Sequence, residues 1–278
     1  MRLKESLLEL AKRAMERKKQ ITTMITNIHN SSVSRSDSVD PLSGAIDQFS
    51  NPEFNGTLAF PFVGSMVPTR FKVDNETNGY WLYLGRTRFK EFFQVLNEVR
   101  NSGNHSALWL YGTQGYGKSH MLAALVCYLA ARGERVVYIP TCRTLLADPV
   151  SYVRAAMLFT WAGDGATSEI INLNDQDDIT AFLRSQPDVI FVIDQMNAFD
   201  GSAGGKDVYD WIMKFTFGKK SVFSCSANYS TYLERSNKES QDRVLRVYGG
   251  LSRVSSLIFI IWRLLTRLGG NGSVVGAT

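Results

Sequence analysis

The sequence predicts an α/β domain in which a parallel sheet carries helices on both faces, a three-layer α/β/α arrangement. Three observations carry that prediction. Short, almost wholly apolar runs recur at 107–111, 136–139, 189–193 and 221–225, the pattern of strands buried on both sides. Segments of helical spacing separate them, at 118–132, 149–162, 176–185 and 206–217. Strands alternating with helices imply right-handed crossovers and therefore parallel pairing. Finally, 278 residues with 44% hydrophobic and 21% charged content are ordinary for a globular protein. Disorder throughout, collagen-like repetition and a membrane bundle are thereby disfavoured. The apolar run at 257–262 is broken by Arg263, far short of the roughly 18 to 20 residues that span a bilayer. No membrane span is expected.

Taken in order, Leu3, Leu7, Leu10, Ala11 and Ala14 recur at helical spacing opposite Lys4, Lys12, Glu16 and Arg17. An amphipathic basic helix is expected to about residue 20, within an N-terminal unit of 1–29. Two uses stay open for it. It docks on its own domain, or the Lys12 to Lys19 cluster serves a membrane surface, a protein partner or nuclear import. Residues 30–57 hold Ser31, Ser32, Ser34, Ser36, Ser38 and Ser43 with Pro41 and Gly44, and read as a Ser-rich linker. A folded domain is expected over 58–252. In it, 80–84 forms a strand, and Phe89, Phe92, Phe93, Leu96 and Val99 make one face of a helix ending near Gly103. The helix from Lys118 closes at Gly133. The tail, 253–278, forms no βα unit and is left unassigned.

Charge and cysteine content narrow the function classes. The net charge of +5 belongs to the ends, because residues 1–20 and 241–278 carry +4 each and leave the middle at −3. The central domain is therefore not a nucleic-acid platform on charge grounds. Cys127, Cys142 and Cys225 are odd in number and lie in apolar runs, as buried thiols of a reducing, intracellular compartment do. With His29, His105 and His120 they make no zinc spacing. No secretory signal is seen, since Lys4, Glu5 and Glu9 interrupt the leading Leu residues.

The chemistry is concentrated in Gly112-Thr113-Gln114-Gly115-Tyr116-Gly117-Lys118-Ser119, a complete G-x-x-x-x-G-K-[ST] phosphate loop set between a strand and a helix. That order aims backbone N–H groups and a helix dipole at a phosphate. Lys118 is expected to reach the β and γ phosphates and Ser119 to ligate Mg²⁺. The apolar strand 189–193 ends in Asp194, which is expected to hold the metal as the Walker B carboxylate. An intervening strand between the two Walker strands points to the additional-strand type of P-loop NTPase. In that type a Glu commonly follows the Asp and activates water; here the position is Gln195, an amide that orients water and cannot act as a base. Asn228, or else Ser226, is the expected γ-phosphate sensor, and Asp200 the nearest other acid. Arg235, Arg243 and Arg246 are candidate arginine fingers. Asn237-Lys-Glu-Ser240 lacks the Asp of a guanine-reading motif, so ATP is expected over GTP. Trp109, Tyr111 and Tyr116 read as packing residues.

Together with the phosphate loop, the segments Val189-Ile-Phe-Val-Ile-Asp-Gln-Met-Asn-Ala-Phe199, Ser224-Cys-Ser-Ala-Asn228 and Val247-Tyr-Gly-Gly-Leu251 resemble the P-loop NTPase domain of Crinkler effectors, relatives of the retrotransposon hot spot proteins. Pro61-Phe-Val-Gly-Ser65 and Tyr83-Leu-Gly-Arg86 fit the same resemblance, which spans roughly 58–252. It implies an ATPase domain of modular proteins often joined to a nuclease-like domain and, in secreted examples, to an N-terminal translocation region, acting in host nuclei. By that resemblance Gln195 is a family feature. Neither a translocation module nor a nuclease domain is recognisable in this sequence, and 253–278 departs from the family as a shortened or altered end would. The leading reading is a Mg²⁺-dependent ATPase. A nucleotide-dependent interaction switch with negligible turnover and an unknown protein partner is the alternative. A P-loop kinase is weaker, because no Arg-rich lid follows the third strand.

Overall fold

A computed structural model describes residues 2–32, 42–71, 79–103, 107–112, 114–226 and 242–247. Its elements run α1 (Arg2–Ser31), α2 (Ser43–Ser50), β1 (Asn55–Ala59), β2 (Tyr80–Leu84), α3 (Arg88–Asn101), β3 (Ala107–Gly112), α4 (Lys118–Ala131), β4 (Arg135–Ile139), α5 (Cys142–Leu145) and α6 (Pro149–Thr160). There follow α7 (Thr167–Asn172), α8 (Gln176–Ser185), β5 (Val189–Ile193), α9 (Gly205–Thr216), β6 (Lys220–Ser226) and β7 (Arg243–Arg246). The runs read as doubly buried strands are so: every residue of β3 and β5 is buried. Helices on both faces remove them from water, and α4, with Met121 through Ala130 all buried, is apolar around its whole circumference.

The main sheet has the order β4-β5-β6-β3-β7, and every pair in it is parallel. β6 therefore lies between β3, which leads into the Gly-rich turn, and β5, which ends at Asp194. This is the additional-strand arrangement of the P-loop NTPase fold. Because all five strands point the same way, their C-terminal ends form one rim, where open α/β sheets hold ligands.

The N-terminal helix continues past residue 20 to Ser31, because Ile21, Met24, Ile25 and Ile28 extend its apolar stripe. Leu7, Ala14, Ile21 and Ile25 are buried, and the helix lies along α2, α4 and α6. Two of its cations are committed to this packing. Arg17 Nη1 donates to the carbonyls of Phe60 at 3.0 Å and Gly79 at 2.6 Å, and Lys18 Nζ to that of Thr160 at 2.8 Å. Burial lowers the pKa of both. The structure thus corrects the linker reading of 30–57 over its second half. α2 and β1 form there because Ala45, Ile46, Phe49 and Leu58, few as they are, all reach the core. Phe49 meets the rings of Tyr83 and Phe89 at 5.0 and 5.2 Å, and β1 pairs antiparallel with β2 as a separate two-stranded sheet. All three cysteines are buried free thiols. No described helix is long and apolar enough to cross a membrane.

Candidate functional site

The Gly-rich turn leaves β3 at the C-terminal rim. Gly112 is in contact with the Val247 carbonyl beyond the end of β7, so that a Cβ there overlaps backbone. Gly115 and Gly117 both have positive φ, 90° and 80°, a conformation that costs side-chain-bearing residues about 1–2 kcal/mol. Gly117 then starts α4 as its N-cap, and no side-chain cap is made there among the described residues. A helix start at the end of this turn directs backbone N–H groups and the positive end of its dipole toward an anion. Lys118 is buried, and its Nζ donates to Gly112 O at 2.6 Å, which folds the ammonium across the turn. Desolvation lowers its pKa, and the Asp194 charge opposes that shift. Gln114 and Gly115 are exposed, while Tyr116 is half-buried against the core.

Asp194 stands at the end of β5 with 1% of its surface exposed. Its backbone continues the ladder to β4, with Asp194 N donating to Ile139 O at 2.9 Å. Its Oδ1 accepts the Ser224 hydroxyl, and its Oδ2 accepts from Arg70 Nη2 at 3.2 Å. Ser224 Oγ also accepts the Gln195 backbone N–H at 3.2 Å. Gln195 has φ 67°, a left-handed conformation that non-Gly residues rarely adopt and that gathers at functional sites. Its side chain makes no hydrogen bond among the described residues.

Two side chains that the motif reading did not assign complete the site. Arg86, just after β2, lies with its guanidinium against Gly117, so that a Cβ at 117 overlaps Cζ. Its Nε and Nη1 are buried without a hydrogen-bond partner, and desolvation lowers its pKa. Arg70, in the short turn Thr69–Phe71, reaches the rim from the β4 side and also donates to Pro140 O. Beside them His120, in the first turn of α4, packs on Phe71 at 4.7 Å and Trp81 at 5.5 Å. Burial first, then the charges of Arg86 and Arg70, push its pKa down to about 3, so it is a neutral ring. The sequence signal for Arg86 was an Arg directly after a strand and its Gly, Leu84-Gly85-Arg86, before a helix. Ser224 was legible as the residue opposite Asp194, one step past the Ile193–Phe223 pair.

The sheet register sorts the other candidates. Ser224 meets Asp194, and Ser226, the alternative γ-phosphate sensor, ends β6 opposite Gly112. Arg243, a candidate arginine finger, lies on β7 beside Leu108 at the far end of the sheet and pairs with Glu98 at 2.9 Å. Arg246 is exposed opposite Tyr111, nearer the loop. Asp200 is exposed after the Met196–Phe199 turn. Thr113, Asn228, Arg235, 237–240 and 248–278 lie outside the described residues.

The donor set fits a magnesium-bound polyphosphate. Arg86 brings buried N–H groups with no acceptor among the described residues, Lys118 and the N-terminus of α4 bring further positive charge, and the Ser119 hydroxyl and Asp194 carboxylate carry hard oxygens of the kind Mg²⁺ takes. No three His, Cys, Asp or Glu side chains converge among the described residues.

No family model matches the sequence, and a comparison with curated proteins finds no match. Among the solved structures that are loosely similar, three illustrate the likeness. One is a DNA replication initiation factor, 14% identical over 74% of this chain and 57% of that chain, with TM-score 0.40. Another is domain III of the Thermotoga maritima replication initiation protein DnaA, at 17%, 74% and 77% with TM-score 0.41. The third is AMPPCP-bound DnaA from Aquifex aeolicus, at 13%, 77% and 58% with TM-score 0.39. The chain spans a little over half the length of the first and third. At such TM-scores the likeness bears on neither substrate nor partner.

Proposed function

We propose that the domain binds Mg²⁺-ATP at the rim of the sheet and hydrolyses it slowly. The observation that carries this reading is the concentration of positive charge at the phosphate loop: the N-terminus of α4, Lys118 folded across the turn, and the buried nitrogens of Arg86 that have no acceptor among the described residues. The amides of 112–119 cradle the phosphates, Lys118 and Arg86 stabilise charge on the transferred phosphoryl group, and Ser119 and Asp194 hold the metal. The bound metal supplies Lewis-acid charge neutralisation. Gln195 and Asn228 orient water, and ATP is preferred to GTP for want of an Asp in 237–240.

The reading is tested by phosphate release from Mg²⁺-ATP with Lys118→Ala and Gln195→Ala as comparisons. Turnover by wild type, its loss in Lys118→Ala and a reduced rate in Gln195→Ala are expected; equal release by all three contradicts the assignment. One observation favours a second reading, a nucleotide-dependent interaction switch with negligible turnover. The position after Asp194 carries an amide, and its backbone rather than its side chain is engaged, by Ser224. Binding through Lys118 without release would select the switch. The effector role in host nuclei rests on the motifs that resemble Crinkler domains and on no other ground.

A further inference from the structure

The carboxylate assigned to the metal already has a cation. Asp194 is almost wholly buried, with Ser224 on Oδ1 and Arg70 on Oδ2, while Lys118 acts on it through space. Arg70 is anchored by the Pro140 carbonyl and lies over the Phe71 ring, its Cζ 4.9 Å from the centroid. Yet its Nε is buried without a partner. That unmet donor is a standing cost, so the guanidinium is not fully held by its present partners.

We infer that Arg70 is a positioning residue that competes with a divalent cation for Asp194 and so sets the metal dependence of nucleotide binding. The inference rests on the nucleotide-binding reading above. A guanidinium on Oδ2 places a positive charge beside any metal that Asp194 takes up, and like charges at that distance in a buried site repel strongly. The metal is therefore accommodated by Arg70 loosening its hold. That movement has a path to the phosphate loop, since the neighbouring Phe71 ring stacks on His120, which follows Ser119 in the first turn of α4. If Arg70 only steadied the carboxylate for the metal, its loss would weaken metal-dependent binding. Competition predicts the opposite sign.

The experiment measures ATP affinity by calorimetry in Mg²⁺ and in EDTA, for wild type, Arg70→Gln and Arg70→Lys. Gln keeps a polar, unbranched side chain while removing the charge. The gain in affinity from Mg²⁺ is expected to be roughly tenfold or more greater in Arg70→Gln than in wild type, the scale on which close charge pairs couple. Arg70→Lys is expected to keep the wild-type ratio. Should Arg70→Gln fail to fold, Arg70→Met with the same ratio replaces it. An unchanged or smaller ratio in the neutral variant overturns the inference while leaving nucleotide binding intact. No ATP binding by folded wild type overturns both.

Discussion

Replacing Arg86 by Met should make the protein more stable and its phosphate site worse. In an ordinary structural arginine the replacement would lower stability and leave the site unchanged. Arg86 holds two nitrogens, Nε and Nη1, in the interior without acceptors, and desolvation already lowers its pKa. Each unmet donor costs about 1–3 kcal/mol, and the buried charge adds to that. Methionine follows the same unbranched path beside Gly117 and carries no donor. After allowing for the packing lost with the shorter side chain, a gain of about 1–3 kcal/mol is expected. In a chain of this size that is a rise in Tm of roughly 2–5 °C. The assay is urea denaturation without nucleotide, followed by ATP titration of the same preparation. Affinity is expected to fall roughly ten- to a hundredfold, the worth of charge-assisted hydrogen bonds to phosphate. Loss of stability with unchanged affinity would refute the reasoning and return Arg86 to the core as a packing residue.

Three further outcomes follow from the same structure. Ser224→Ala removes the hydroxyl from Asp194 Oδ1 and from the Gln195 N–H, leaving buried groups unmet; a loss of about 1–3 kcal/mol is expected by urea denaturation, and no loss would show that water replaces it. Ile25→Ala, at a fully buried position of α1, should cost about 2–5 kcal/mol, whereas a helix frayed from the domain would show almost none. The Cys225 thiol is pushed up to about 12 by burial, and Cys127 and Cys142 are also raised, so native protein should resist a thiol reagent that labels all three once unfolded. The sign for stability follows. Unfolded thiols ionise near pH 8.5 and the folded ones do not, so these groups leave stability intact below that pH and withdraw it as pH rises toward 12.

The parts of the fold that were legible in the sequence are those whose signal is local. Doubly buried strands need continuous apolar runs, and the phosphate loop needs its glycines at fixed spacing, so β3 to β6 and residues 112–119 could be read directly. α2 and β1 were not, because their apolar residues are sparse and gain meaning only against partners far along the chain, as Phe49 does against Tyr83 and Phe89. β7 was missed for a related reason. Four residues bounded by Arg243 and Arg246 show little apolar pattern, and an edge strand needs only Leu245 inside. At the site, Asp194 and Lys118 announced themselves by motif. Arg70 and Arg86 did not, since an arginine in a loop looks solvated until the packing of Phe71, Trp81 and His120 shows how little water reaches it.

The central claim is that the rim of the sheet at Gly112 to Ser119 holds a nucleotide. Calorimetric titration of the full chain with Mg²⁺-ATP, beside Lys118→Ala checked for an unchanged circular dichroism spectrum, tests it most directly. Saturable binding to a single site, lost or weakened by roughly a hundredfold in the variant, is the predicted result. Absence of binding by folded wild type, or binding indifferent to Lys118, would contradict the account.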